Sequence, residues 1–213
     1  MLALVLASAS PRRRALLEAA GLEFTVQPAD VDEDLGAFRD PERAALELAL
    51  RKARAGAAAW MAEHRGAAQG ACVIGADTIV AVQRGNEWTL LGKPSDVRDA
   101  EAMLALLSGT RHLVATAVAL VRTSDQAERS GLERTFVTMR EISAAERASY
   151  AASGEWEGKA GGYAIQESAD RFVLRLEEGG FDNVVGLPVK LTLELLEELD
   201  PGRNPRLRAG RAP

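Results

Sequence analysis

Apolar positions along this chain fall into short runs separated by turn residues, and the period of each run predicts its element. Residues 2–6 are wholly apolar and lead through Ser8-Ala9-Ser10-Pro11 into a pattern of Leu16, Leu17 and Ala20 that stops at Gly21. That order predicts strand, turn and helix, with Ser10 as N-cap, Pro11 in the first helical position and Gly21 as the C-terminal stop. Phe24 and Val26 form a second alternation before an acidic turn over 30–34, and Asp40-Pro41 opens a long alanine-rich helix reaching about Glu63. Residues 65–70 read as a loop. The β-branched run 72–82, interrupted by Asp77-Thr78, is followed by a Gly85-Asn86 turn and a hairpin partner over 88–91.

Further on, Ser95 and Asp96 cap a helix through Met103 to Leu107, stopped by Gly109, and 113–121 is a buried strand. A strand over 134–140 leads to Ser143-Ala144-Ala145-Glu146, a capping box that opens a short helix to Ser153. The glycine-rich segment 154–166, a strand over 172–176, a turn at Gly179-Gly180 and a last helix from Pro188 to about Leu199 complete the pattern. Strands alternating with helices predict an α/β fold.

Composition narrows this to one domain. A chain of 213 residues, 47% hydrophobic, buries one substantial core. We expect that domain over 1–200, with an arginine- and proline-rich, disordered tail over 201–213. The longest apolar runs fall short of the ~20 residues a membrane span needs. Residues 1–10 lack basic residues ahead of their apolar run, so they read as a core strand and not a signal peptide. The lone Cys72 suits a reducing compartment, and the cytoplasm is the expected location. A net charge of -5 argues against a surface dedicated to nucleic acid. Two histidines and one cysteine are too few for a zinc site, so any metal rests on carboxylates and is Mg²⁺ or Mn²⁺.

Candidate chemistry starts at Ser8-Ala9-Ser10-Pro11-Arg12-Arg13-Arg14, a helix start rich in hydroxyls and guanidiniums. Free N–H groups and the dipole favour an anion there, and three arginines in a first turn oppose the dipole unless an anion is bound. The segment 154–160 resembles a Walker A loop but has three residues between its glycines where four are needed, and Ala160 stands where Ser or Thr would hold Mg²⁺. No dinucleotide fingerprint follows the first strand. Asp77 places a carboxylate inside an apolar strand, a costly position unless a metal or cation meets it. The acidic turn is not an EF-hand, since Leu35 and Pro41 occupy its sixth and twelfth positions; one of its carboxylates can still face the site. Lys52, on a long helix, is by base rate a surface lysine. Lys93 and Lys159 sit beside glycines that permit close approach of a ligand. His112 reads as a structural histidine.

Six segments together resemble the Maf nucleotide pyrophosphatases: residues 6–13, Asp77-Thr78, Leu91-Gly92-Lys93-Pro94, 107–116, Glu157 to Gln166, and Asn183-Val184-Val185-Gly186-Leu187-Pro188. The resemblance implies a single elongated, bilobal α/β domain, with a mixed, strongly twisted sheet flanked by helices and a deep central cleft, similar to that of the inosine triphosphate pyrophosphatases. It also implies hydrolysis of nucleoside triphosphates to monophosphate and pyrophosphate with a divalent cation, removal of non-canonical nucleotides and a link to cell-division arrest. Asp77 matches the family's proton acceptor, and Arg12, Thr78 and Gln166 match positions tied to base selection. Ser8, Arg13, Glu33, Lys52, Lys93 and Lys159 match other cleft positions, with Glu33 joining Asp77 as a metal ligand. The form of the 159–166 segment resembles the branch acting on dTTP, UTP and modified pyrimidine nucleotides. A homodimer is compatible with this reading, a stable nucleic-acid or membrane partner is not, and the alternative is a nucleotide-binding regulatory protein acting through a partner. Residues 64–71 and the hairpin at 84–88 look longer than the family pattern.

Overall fold

The computed structural model describes residues 2–34, 38–65 and 69–202. Seven strands form one open mixed sheet: β1 (Ala3–Leu6), β2 (Thr25–Val26), β3 (Ala71–Arg84), β4 (Glu87–Leu91), β5 (Arg111–Arg122), β6 (Glu128–Met139) and β7 (Val173–Glu177). Among the described residues six α-helices accompany them: α1 (Pro11–Ala19), α2 (Pro41–Glu63), α3 (Val97–Leu107), α4 (Ala144–Ser153), α5 (Phe181–Val185) and α6 (Val189–Leu199). The order is β2-β1-β3-β5-β6-β7, with β4 on β3. β2, β1 and β3 run parallel, and every other pair is antiparallel.

Strand β3 decides where a ligand can enter. Its partner β5 occupies one edge from Cys72 to Ala81. On the opposite edge β1 pairs with residues 71–74 and β4 with residues 80–84, which, among the described residues, leaves 75–79 with no strand on that side. β1 runs with β3 and β4 runs against it, so both deliver their carboxyl ends into this gap. The loops that follow, Ala7 to Ser10 and Gly92 to Pro94, face each other across it. Ligands in open α/β sheets bind outside strand carboxyl ends where the order breaks. Successive β3 residues point to opposite faces, so a molecule in the gap reaches Asp77 on one face and Thr78 on the other.

Each face is covered by apolar packing. Val73, Ile79, Ala117 and Ala119 pack against the alanines of α2. Cys72, Ile74 and Ala76 pack with Leu17 of α1 and Leu193 and Leu196 of α6. Tyr150, Trp156 and Phe172 join Val80, Val82, Leu91 and α3 in a third cluster. Among the described residues, no helix is long and apolar enough to cross a membrane.

Local signals place most boundaries. Ser10, Asp40, Asp96 and Ser143 all cap helices through their side chains, and Ser143 with Glu146 forms a full capping box. Three expectations need correction. β6 begins at Glu128 and not near 134, because residues 128–133 are held by pairing with β5 and not by an apolar run of their own. Phe172 closes a 3₁₀ turn, Ser168–Phe172, and β7 starts at Val173. After Gly179-Gly180 a further helix, α5, precedes Pro188; at 5 residues it is too short to show a periodicity, and Asp182 ties it to α6 by accepting the Val189 N–H at 2.7 Å. The tail beyond Gly202 and residues 66–68 of the expected loop lie outside the described residues.

Candidate active site

The first wall of the site is the entry to α1. Ser10 caps the helix by accepting from the Arg13 N–H at 3.5 Å, and Pro11 sets the first helical position. Arg13 turns inward and is buried. Its Nε donates to the Gly186 carbonyl at 2.8 Å, Nη1 to Ser8 Oγ at 3.2 Å and Nη2 to Thr78 Oγ1 at 3.2 Å. One guanidinium thus fastens the loop after β1, the centre of β3 and the α5–α6 turn. Burial lowers its pKa, and the charges of Asp77 and Glu33 oppose that effect. Thr78 Oγ1 lies 3.0 Å from Thr116 Oγ1, and Thr116 donates to the Asn183 carbonyl at 2.8 Å.

A chain of charges forms the second wall. Lys52, a surface lysine by base rate and a cleft position by the Maf resemblance, is 6% exposed, and Asp77 is 7% exposed. The base rate fails because α2 lies close over β3, so the stem of Lys52 is buried and its ammonium opens onto the gap. Its Nζ is 2.5 Å from both Asp77 Oδ1 and Glu33 Oε1, and Glu33 Oε2 is 2.5 Å from Lys93 Nζ. Glu33 is therefore the acidic-turn carboxylate that faces the site. Burial pushes its pKa up, but the hydrogen bonds from Lys52 and Lys93 outweigh burial and hold it at about 2.

The third wall is the glycine-rich segment. Gly161 has φ of +69° and its N–H donates to the Gly92 carbonyl at 2.9 Å; a Cβ there would meet Val80 at 2.9 Å. That contact seats the segment against β3. Lys159 is buried, donates to the Glu155 carbonyl and pairs with Glu167 at 3.3 Å. The Glu155 carboxylate accepts from the Ser168 N–H at 3.0 Å and its hydroxyl at 2.7 Å, so both ends of the segment are tied together.

These walls enclose a cavity of about 560 Å³ whose lining includes Ser8, Arg12, Arg13, Glu33, Lys52, Asp77, Thr78, Lys93, Lys159 and Gln166. All ten residues singled out from the sequence meet there. Two further carboxylates, Glu157 and Glu167, also line it. Sequence reasoning passed over them because glutamates in a loop are ordinarily solvated; their places flanking the stretch from Lys159 to Gln166 were the available signal.

Residues 3–199 match the family model described as Maf-like protein. The chain belongs to the Maf family. Maf relatives of high similarity include the dTTP/UTP pyrophosphatases of Desulfitobacterium hafniense (45% identical, covering 91% of this chain and 83% of that protein) and Caulobacter vibrioides (46%, covering 92% and 95%). That of Rhodopseudomonas palustris is 44% identical over 97% of both chains.

His112 lies outside the lining of this Maf cavity, with Nε2 3.0 Å from the Tyr163 hydroxyl. It is fully buried, and burial lowers its pKa from 6.5 to about 3. A depressed folded-state value contributes stability that is complete above 6.5 and is lost as pH falls from there toward about 3. At pH 5 the loss is about 2 kcal/mol relative to neutral pH. Urea unfolding at pH 7 and pH 5 checks this: His112→Gln should shrink the difference by that amount, and an unchanged difference would assign the acid sensitivity to other groups.

Proposed function

We propose that this chain hydrolyses nucleoside triphosphates, dTTP and UTP foremost, to the monophosphate and pyrophosphate. The observation that carries the reading is the buried Asp77 carboxylate, linked through Lys52 to Glu33, inside a cavity lined by five cationic side chains. Such a cavity suits a polyphosphate, and the dTTP/UTP pyrophosphatases to which the chain is similar supply the reaction. Its volume lies in the range of small-molecule sites.

In this reading Arg13, Lys52 and Lys93 offset the triphosphate charge, and Asp77 orients and deprotonates a water for in-line attack on the α-phosphate. Pyrophosphate leaves with its charge already neutralised. Gln166 offers one acceptor and two donors, which suits a pyrimidine edge, and Arg12 and Thr78 line the same cavity. Glu33 and Asp77 converge on one cationic group, the Lys52 ammonium 2.5 Å from each, and a metal ion would share or take that place. Two hard oxygen donors, completed by phosphate and water, fit Mg²⁺ or Mn²⁺. Glu33 and Asp77 would hold the ion, which supplies charge neutralisation and a lowered pKa for bound water. We assign the activity to one domain over residues 1–200, working in the cytoplasm, with a homodimer compatible with it.

The test is pyrophosphate release from a panel of canonical and modified nucleoside triphosphates with Mg²⁺ or Mn²⁺. dTTP and UTP should lead the panel. Nucleotide binding without release from any member would replace the enzyme by a nucleotide-binding regulatory protein.

A further inference from the structure

Five cations line the cavity, yet four carboxylates line it too. The proposed reaction uses Glu33 and Asp77. It has no use for Glu167, whose side chain is 37% exposed and pairs with Lys159 at 3.3 Å. Glu167 also stands close enough to Arg12 that its charge raises the pKa that burial lowers. Lys159 is 10% exposed along its side chain, donates to the Glu155 carbonyl and forms an ion pair with Glu167. An ammonium carries three donors, so the Glu155 bond does not exhaust it and a donor remains for a ligand.

We propose that Glu167 sets how firmly the cavity holds polyphosphate: its carboxylate shares Lys159 and the surroundings of Arg12 with the bound anion and so promotes departure of pyrophosphate. The inference rests on the pyrophosphatase reading above. A carboxylate here does two separable things. It holds the Lys159 ammonium by pairing with it at 3.3 Å, and it repels an anion a few ångströms away. Glutamine keeps the acceptor and removes the charge, so Glu167→Gln isolates the repulsion. Glu167→Ala removes both, freeing Lys159 from one of its two anchors.

The experiment is titration calorimetry of the full chain with pyrophosphate and Mg²⁺, alongside pyrophosphate inhibition of nucleotide turnover. At low ionic strength Glu167→Gln should bind pyrophosphate roughly fivefold tighter than wild type and be inhibited correspondingly more strongly, as expected for one charge removed in a partly screened site. Salt near ~1 M should close most of that gap, because the screening length then falls to about 3 Å. Glu167→Ala should gain less than Glu167→Gln. Equal or weaker binding by Glu167→Gln, or a gain that salt leaves untouched, would reduce Glu167 to a structural anchor of Lys159 and overturn the proposal. Absence of pyrophosphate release from every nucleotide tested would overturn the pyrophosphatase reading, and this inference with it.

Discussion

Asp77→Asn should slow pyrophosphate release by about 10² to 10⁴-fold, the usual contribution of a positioned general base, while the chain still folds and binds nucleotide. The substitution keeps the side-chain shape and one acceptor oxygen, and it removes the negative charge and the basicity that would deprotonate water. Folding should survive because Lys52 does not become an isolated buried charge: its Nζ remains 2.5 Å from Glu33, which Lys93 also holds. Losing one partner of a buried ion pair is severe when the other charge is left alone, and here it is not. The expected cost is about 1 kcal/mol, the scale of one lost hydrogen bond. A coupled pyrophosphate assay and a thermal melt separate the two effects. Turnover within tenfold of wild type would remove Asp77 from the chemistry. A collapsed melting temperature would instead show that the Asp77–Lys52 contact supports the fold and that Glu33 alone cannot replace it.

Much of the fold is legible in local chemistry. Ser10-Pro11, Asp40-Pro41 and the Ser143 to Glu146 capping box act within a few residues of themselves, and the starts of α1, α2 and α4 follow them. The Gly85-Asn86 turn likewise marks the β3–β4 hairpin. What escaped depends on neighbours distant in sequence. The first half of β6 is a strand because β5 lies beside it, and α5 is a single short turn of helix between two glycine-containing segments. The candidate site divides in the same way. Ser8, Arg12, Arg13 and Lys159 stand out through the company they keep in sequence. Lys52 does not: among the alanines of α2 it looks like any solvated lysine, and only the approach of that helix to β3 brings it to Asp77. Nor does any local pattern reveal that β1 and β4 share one edge of β3 and leave 75–79 open between them.

That approach of α2 is governed by Gly75, and Gly75→Ala should be a severely damaging methyl addition. In a strand, alanine is ordinarily the better residue by roughly 0.5–1 kcal/mol. Here the added Cβ would lie 2.4 Å from the Ala49 carbonyl oxygen, 2.4 Å from the Ala53 nitrogen and 3.0 Å from Ala53 Cα. All three atoms belong to helix backbone, which cannot turn aside as a flexible side chain can. The clash therefore outweighs the propensity gain, and the expected net loss is about 3 kcal/mol, the upper end of ordinary overpacking. Relief requires α2 to move away from β3, and Lys52 moves with it. Activity should then fall even at temperatures where the variant remains folded, because the ammonium no longer meets Asp77 and Glu33. Gly85→Ala is the matched control. Gly85 has φ of +61° with nothing within 4 Å of its would-be Cβ, so alanine there suffers backbone strain alone, at a cost of about 1 kcal/mol with activity retained. Urea unfolding and turnover measured on both variants give a sharp comparison: if Gly75→Ala loses no more stability than Gly85→Ala, close packing of α2 on β3 is not what brings Lys52 to Asp77.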